Sequence, residues 1–106
     1  MDSELSDKEL ELFNALKGVI DPELMVNIVD LGLVYDVRID ETQKTVEIDM
    51  TLTSPSCPLG DVITEDVEHV AKNMFDDFAV KVSLIWDPYW TLERITDKGR
   101  EALDRR

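Results

Sequence analysis

The sequence predicts a small α+β domain in which helices pack on one face of a three-stranded mixed sheet, in the order α-β-β-α-β-α. Residues 33–39 and 46–53 alternate apolar and polar side chains, which predicts two half-buried strands. The polar link at 40–44 is short enough to join them as an antiparallel β-hairpin. Apolar residues recur at helical spacing on either side of this hairpin, and a third alternating stretch follows at 80–86.

The first helix is predicted over residues 6–17. Ser6 and Glu9 have the spacing of a capping box, in which a hydroxyl and a carboxylate satisfy amide donors of the first turn. An amphipathic stripe follows, and Gly18 ends the helix.

A turn or short connector is predicted at 19–24, because Pro22 disfavours helical geometry at the residue before it. We therefore expect Asp21 and Glu23 to lie on a loop. Carboxylates in such a turn are usually solvated. Their spacing alone does not make them a site.

The second helix is predicted over residues 58–75. Proline is favoured at the first helical position, so Pro58 would place Cys57 at or beside the N-cap. Pro88 ends the third strand, and Thr96 is a candidate cap for a last helix in the charged C-terminal segment.

The composition is that of one domain, 1–106, with a single core. A net charge of −13 would repel phosphate backbones and anionic lipid surfaces, which argues against nucleic acid and membranes as partners. Apolar runs are too short to span a bilayer, and the start of the chain has no signal-peptide pattern. A single cysteine cannot form an intramolecular disulfide. We therefore expect a cytoplasmic protein.

The cysteine, Cys57, is the centre of any chemistry that the sequence predicts. A helix N-terminus favours a thiolate by only about 0.3–1 kcal/mol, which leaves a thiol mostly protonated at neutral pH. No Lys, Arg or His lies within residues 45–68, so no local cation favours a nucleophile. A metal ion would deprotonate the thiol outright, and nearby carboxylates would then help. The alternative is that Cys57 is a buried packing residue.

An aromatic cluster at the end of the third strand has two interpretations. Trp86, Tyr89 and Trp90 would suit a partner-binding patch. Such a cluster also commonly holds the following segment onto the core. His69 lies off the apolar stripe of its helix, and no role is predicted for it.

Four motifs resemble those of the SufT/PaaD-like family of metal–sulfur cluster assembly factors, and the resemblance covers residues 10–103. In chain order they are Val19-Ile20-Asp21-Pro22-Glu23-Leu24, Asn27-Ile28-Val29-Asp30-Leu31-Gly32-Leu33-Val34-Tyr35, Thr51-Leu52-Thr53-Ser54-Pro55-Ser56-Cys57-Pro58-Leu59 and Trp86-Asp87-Pro88-Tyr89-Trp90. Four motifs in order are a far stronger signal than one. The resemblance implies an α+β domain that assists the maturation of iron–sulfur proteins.

The resemblance also implies a functional site made of Asp21, Glu23, Thr51, Thr53 and Cys57. The sequence has no Gly-rich phosphate loop, so it is similar to the stand-alone form of the family and should not hydrolyse nucleotide. It also lacks the extra C-terminal cysteines of the members tied to phenylacetyl-CoA oxygenases.

The resulting hypothesis is an auxiliary factor, not an enzyme, in which Cys57 handles an iron–sulfur cluster or iron transiently, with none bound tightly. The surface would dock the iron–sulfur assembly machinery and apo-protein clients. Clusters generally take four protein ligands, so the others would come from a second Cys57 in a homodimer, from a partner or from a small thiol. One rival is a client-binding adapter with a structural Cys57. Another is a thiol enzyme with Asp21 or Glu23 as general base.

Overall fold

The computed structural model describes residues 5–53 and 60–104. Three α-helices and five strands make up this part of the chain, together with 3₁₀ turns at Leu16–Gly18 and Leu92–Arg94. The helices are α1 Asp7–Ala15, α2 Gly60–Met74 and α3 Asp97–Asp104, and the strands are β1 Ile20–Asp21, β2 Val26–Asn27, β3 Val34–Asp40, β4 Thr45–Met50 and β5 Ala79–Leu84.

The main sheet has the order β3-β4-β5. β3 and β4 form the antiparallel hairpin, with Arg38 opposite Glu47, and β5 lies parallel to β4, with Val82 beside Ile48. A parallel neighbour requires a crossover, which α2 supplies. The predicted α+β fold with a three-stranded mixed sheet is confirmed.

The core lies between this sheet and the two helices on its inner face. α1 contacts β3, α2 contacts β5, and the two helices contact each other. The fully buried side chains of β4 and of the two helices meet there, which removes their apolar surface from water and supplies the main driving force for folding. These residues are Leu12, Val46, Ile48, Met50, Ile63, Val67 and Ala71.

The structure departs from several of the predicted elements, and β4 ends at Met50, three residues before the predicted end. The 19–24 segment is not only a turn, because β1 and β2 pair antiparallel on either side of it, with Asp21 opposite Val26. Two-residue strands are too short to show a period of two. The first helix changes to a 3₁₀ turn at Leu16, and β5 ends at Leu84, two residues before the predicted end. The start predicted for the second helix, at Pro58, lies outside the described residues.

The outer face of the sheet carries a charge cluster. The guanidinium of Arg38 contacts the carboxylates of Asp36 and Asp49 at 2.7 and 2.8 Å, and that of Glu47 at 3.1 Å. Hydrogen bonds from Arg38 to Asp49, Asp36 and Glu47 raise its pKa further above its ordinary value. Because these side chains are solvent-exposed, the pairs stabilise the fold only weakly and mainly neutralise part of the acidity of this face. No helix in the described residues is long and apolar enough to cross a membrane.

The free edge of β3 is closed by carboxylates. In the hairpin register, the amides of Val37 and Ile39 point away from β4. Asp36 Oδ1 accepts from the Val37 amide at 3.0 Å, and Glu9 Oε2 accepts from the Ile39 amide at 2.8 Å. The other oxygen of Glu9 accepts from the Ser6 amide in the predicted capping box. Glu9 therefore caps α1 and the sheet edge at once.

Replacing Glu9 with Gln should make stability less sensitive to acid. Partial burial opposes ionisation, but the hydrogen bonds from Ser6 and Ile39 outweigh it and hold the pKa of Glu9 below its ordinary value. The stabilisation is thus present above the unfolded-state pKa of about 4.3 and is lost as pH falls through the lower folded-state pKa. We expect Glu9→Gln to lower the free energy of unfolding by about 1 kcal/mol at pH 7.

Urea unfolding at pH 7 and at pH 3 measures this difference, with Glu11→Gln on the exposed side of the same helix as the control. The gap between wild type and Glu9→Gln should shrink at the lower pH. An equal gap at both pH values would show that the carboxylate charge is not what holds the edge.

Candidate functional site

The carboxyl group of Asp21 lies buried at the end of β1, with 1% of the residue exposed. Its Oδ1 accepts hydrogen bonds from the amides of Glu23 at 2.8 Å and Leu24 at 3.1 Å. The Asp21 carbonyl accepts from the Met25 amide at 2.7 Å. Aspartate is rarely this buried without partners, and backbone amides supply them here. The side chain of Asp21 therefore holds the turn together, and its carboxylate is hydrogen-bonded directly to the backbone of Glu23.

Apolar side chains are exposed on both sides of this buried carboxyl group. Met25 closes the turn with a φ of 60° and is 64% exposed, and Ile20 is 43% exposed. A positive φ is uncommon for a non-glycine residue and is held by the hydrogen bonds of the turn. The turn thus presents an apolar tip outward while its carboxyl group points inward.

A relay of backbone hydrogen bonds connects this turn to the end of β4. The Ile28 amide donates to the Val19 carbonyl at 3.0 Å, and the Leu33 amide donates to the Ile28 carbonyl at 2.9 Å. The Thr51 amide then donates to the Leu33 carbonyl at 2.8 Å. Each bond holds two backbone groups at hydrogen-bonding distance. Segments that are distant in sequence are held together in this way.

Thr51 is fully buried, which is unusual for a residue with a hydroxyl group. Its hydroxyl donates to the Leu52 carbonyl at 3.5 Å, a long and weak hydrogen bond. Thr53 is half-buried and is the last residue described before position 60. Cys57 and its predicted N-cap position lie outside the described residues. Within residues 5–53 and 60–104, no group of three or more His, Cys, Asp or Glu side chains is arranged to hold a metal ion.

The C-terminal aromatic segment is fastened to the strand-connecting segment at residues 27–35. Trp90 Nε1 donates to the Leu31 carbonyl at 2.6 Å, and the Tyr35 hydroxyl donates to the Pro88 carbonyl at 2.9 Å. The Arg94 guanidinium lies 4.7 Å from the centre of the Tyr35 ring, a cation–π contact. Two of the four family motifs are therefore in direct contact with each other.

Asp30 joins the segment at residues 27–35 to Thr96, and the sequence predictions did not single it out. It accepts a hydrogen bond from Asn27 Nδ2 at 2.8 Å and another from the Thr96 hydroxyl at 3.0 Å. Its carbonyl accepts from the Thr96 amide at 2.8 Å. Thr96 Oγ1 also accepts from the Gly99 amide, as expected of the predicted helix cap. The spacing of three residues between Asn27 and Asp30 was the feature of the sequence that could have indicated the role of Asp30.

Two glycines allow the segments to come this close. Gly32 has a φ of 77°, and a Cβ there would collide with the Arg94 carbonyl oxygen. A Cβ at Gly99 would lie 2.7 Å from the Asp30 carbonyl oxygen. Only glycine fits either position without a shift of backbone.

The three predicted partner-binding aromatics differ in burial. Trp86 and Trp90 are half-buried and pack against the core, whereas Tyr89 is 69% exposed. Trp90 holds the segment in place, which corresponds to the second interpretation of the cluster. Binding of a partner by these residues stays a prediction.

The fold and the site together define an α+β domain that fixes a buried carboxyl group relative to the end of a central strand. The chain belongs to the family of iron–sulfur cluster assembly proteins, whose family model matches residues 9–84. This match confirms the resemblance drawn from the four motifs.

Relatives of similar length support the same family. The chain is 41% identical over 92 residues to the Fe-S protein maturation auxiliary factor YitW of Bacillus subtilis, covering 87% of this chain and 89% of the relative. It is 40% identical over 85 residues to the Fe-S protein maturation auxiliary factor SufT of Staphylococcus aureus, covering 80% and 96%. A crystal structure of a DUF59 domain from Bacillus anthracis matches with a TM-score of 0.85 at 41% identity, covering 92% of each chain.

Replacing Trp90 with Phe should loosen the C-terminal segment. The ring remains apolar, but the hydrogen bond to the Leu31 carbonyl is lost, which should cost about 1 kcal/mol of unfolding free energy. Hydrogen exchange of the amides in α3 should speed up more than exchange in β4. Tyr89→Phe is the control, and it should change stability by less than about 0.5 kcal/mol because its side chain is exposed. Equal effects of the two variants would contradict the assigned contact.

Proposed function

We propose that this chain acts as a single-domain, non-catalytic auxiliary factor in which Cys57 transiently holds iron or an iron–sulfur cluster during the maturation of iron–sulfur proteins. Its partners are the assembly machinery and apo-protein clients. The observation that carries the proposal is the buried carboxyl group of Asp21, which the backbone hydrogen bonds fix relative to Thr51, six residues before Cys57 in the sequence. The names of the two Fe-S protein maturation auxiliary factors described above support the general role.

The chemistry of the residues fits transient holding better than stable binding. A thiolate and a carboxylate are both ligands for iron, but Cys57 is the only thiol in the chain. Iron–sulfur clusters generally take four protein ligands. The remaining ligands come from a second molecule, which is a client, an assembly protein, a second copy or a small thiol. A site that is incomplete in one chain releases its cargo easily.

Asp21 contributes a fixed polar group in this proposal. Its two amide donors hold the side chain in one orientation, which fixes the turn that carries Glu23. Glu23 lies on the same turn and is exposed, where it can meet a partner or cargo. Thr51 and Thr53, which follow the end of β4, supply hydroxyl groups.

Loss of the thiol should abolish retention of iron. We expect Cys57→Ala to retain less than about one tenth of the iron that wild type retains after anaerobic reconstitution with ferrous iron, sulfide and a small thiol, because a neutral methyl group cannot ligate. Iron content and visible absorption after desalting measure this. The matched control is Ser56→Ala, which changes a neighbouring side chain of similar size.

Equal iron retention in wild type and Cys57→Ala would remove the ligand role. If Cys57→Ala also supported client maturation while Tyr89→Ala did not, the client-binding adapter would be the better function. The 69% exposure of Tyr89 is the observation that favours that alternative.

Variants of Asp21 separate its structural role from its proposed functional role. Asp21→Asn keeps an oxygen that can accept from the amides of Glu23 and Leu24, so the unfolding free energy should change by less than about 1 kcal/mol. Asp21→Ala leaves both amides without their acceptor and should cost about 2 kcal/mol or more. We expect both variants to lose client maturation.

Urea unfolding and the yield of holo-protein from an apo-protein client give the two measurements. If Asp21→Asn retained full maturation activity, the carboxyl group would be structural only. Loss of activity in Asp21→Ala alone would support the same conclusion.

A further inference from the structure

The outer edge of β5 carries backbone groups that point away from the sheet. The Ala79 amide donates to the Lys44 carbonyl at 2.9 Å, and the Ile85 amide donates to the Met50 carbonyl at 2.7 Å. With the parallel register between, residues 79, 81, 83 and 85 therefore direct their amides toward β4. The amides and carbonyls of the alternate residues, Val80, Val82 and Leu84, face outward.

The two edges of the sheet differ in whether their outward backbone amides have acceptors. On β3 the outward amides of Val37 and Ile39 are both occupied by carboxylates. On β5 the outward amides of Val80, Val82 and Leu84 have no hydrogen-bond partner among residues 5–53 and 60–104. An open edge of this kind is a template for pairing with another strand.

Apolar side chains of the same three residues are left incompletely covered. Val46, Ile48 and Met50, their neighbours on β4, are fully buried beneath the helices. Val80 and Val82 are only half-buried, and Leu84 is 41% exposed. The helical layer therefore covers β5 only in part. The residues with open backbone groups are also those with exposed apolar surface.

The sequence of β5 is compatible with a second copy of itself. In an antiparallel pair whose two-fold axis passes through Val82, Val80 lies opposite Leu84 of the second copy and Val82 lies opposite Val82. Lys81 then lies opposite Ser83 on the outer face, so the two lysines do not face each other. Every outward amide of one copy meets a carbonyl of the other.

The charge of β5 itself is compatible with self-association. The chain has a net charge of −13, and two copies repel each other. β5 has no acidic residue and carries Lys81. The carboxylates of Glu47 and Asp49 lie on β4, beside Lys81 and Ser83, and both pair with Arg38.

We propose that the chain forms a two-fold dimer through antiparallel pairing of β5, which joins two three-stranded sheets into one continuous sheet. The dimer depends on β5 and not on iron–sulfur handling or on Cys57. Because screening reduces the repulsion between acidic copies, the dimer becomes tighter as salt increases.

Sedimentation velocity of the metal-free full chain tests the dimer, starting from a monomer of 12.1 kDa. We expect a concentration-dependent rise to about twice that mass below about 0.5 mM protein, the concentration range of weak specific association. Val82→Pro removes an outward amide without removing a bond to β4, and proline is tolerated on edge strands. It should weaken the dimer at least about tenfold.

Leu84→Lys gives a second test in case Val82→Pro does not fold. It places an ammonium group opposite Val80 of the second copy and should also weaken the dimer about tenfold, although it lowers the net negative charge. Ile20→Lys makes the same charge change at a residue of similar exposure, 43% against 41%, on another sheet. It should dimerise like wild type or more tightly.

A wild-type chain that stays monomeric throughout this range overturns the proposal. So does a dimer that Leu84→Lys and Ile20→Lys affect equally, because the contact would then lie elsewhere. Weakening by Leu84→Lys without weakening by Ile20→Lys supports the β5 edge. Cys57→Ala should dimerise normally, so failure of the iron-handling proposal and failure of the dimer are separate results.

Discussion

The backbone of residues 27–33 holds the candidate site and the C-terminal segment in a fixed relation. On one side, Ile28 and Leu33 link the Asp21 turn to Thr51 through amide–carbonyl hydrogen bonds. On the other side, the Leu31 carbonyl accepts from Trp90. Position 32 requires glycine, because a Cβ there would collide with the carbonyl oxygen of Arg94. A change in this segment would therefore disturb both sides at once.

This arrangement gives a physical reason for motifs that are far apart in the sequence. Asp30 and Trp90 belong to two motifs, and each holds the C-terminal segment against residues 27–33, Asp30 through Thr96 and Trp90 through the Leu31 carbonyl. Asp21 belongs to a third motif and has a buried carboxyl group held by two amides. Two motifs thus have contacts that hold the fold together, and a functional role for the third, with Asp21, is part of the proposed function.

The sequence predicted the fold class and most of the helices and strands because their apolar periods are long. Ser6, Glu9 and Thr96 were recognised as caps, and the structure shows each of them in that role. The strands β1 and β2 were not predicted, because two residues cannot show a period and their pairing depends on the turn formed around Asp21.

The sequence could predict only which residues belong to the candidate site, and not how they are arranged. The contribution of Asp21 depends on its burial and on the Ile28–Leu33 relay, both of which are tertiary features with no local sequence signal. The resemblance to a family brought Thr51 into the set, whereas its residue type alone would have suggested a surface position. Asp30 was missed because its partner Thr96 lies 66 residues away in the sequence.

The proposed role of Cys57 is to pass iron or a cluster to client proteins. The most direct measurement is the rate at which an apo-protein client acquires its cluster anaerobically, in the presence of wild type or Cys57→Ala. The account predicts that wild type accelerates the transfer and that Cys57→Ala leaves it at the rate without the factor. Equal acceleration by both proteins would contradict it.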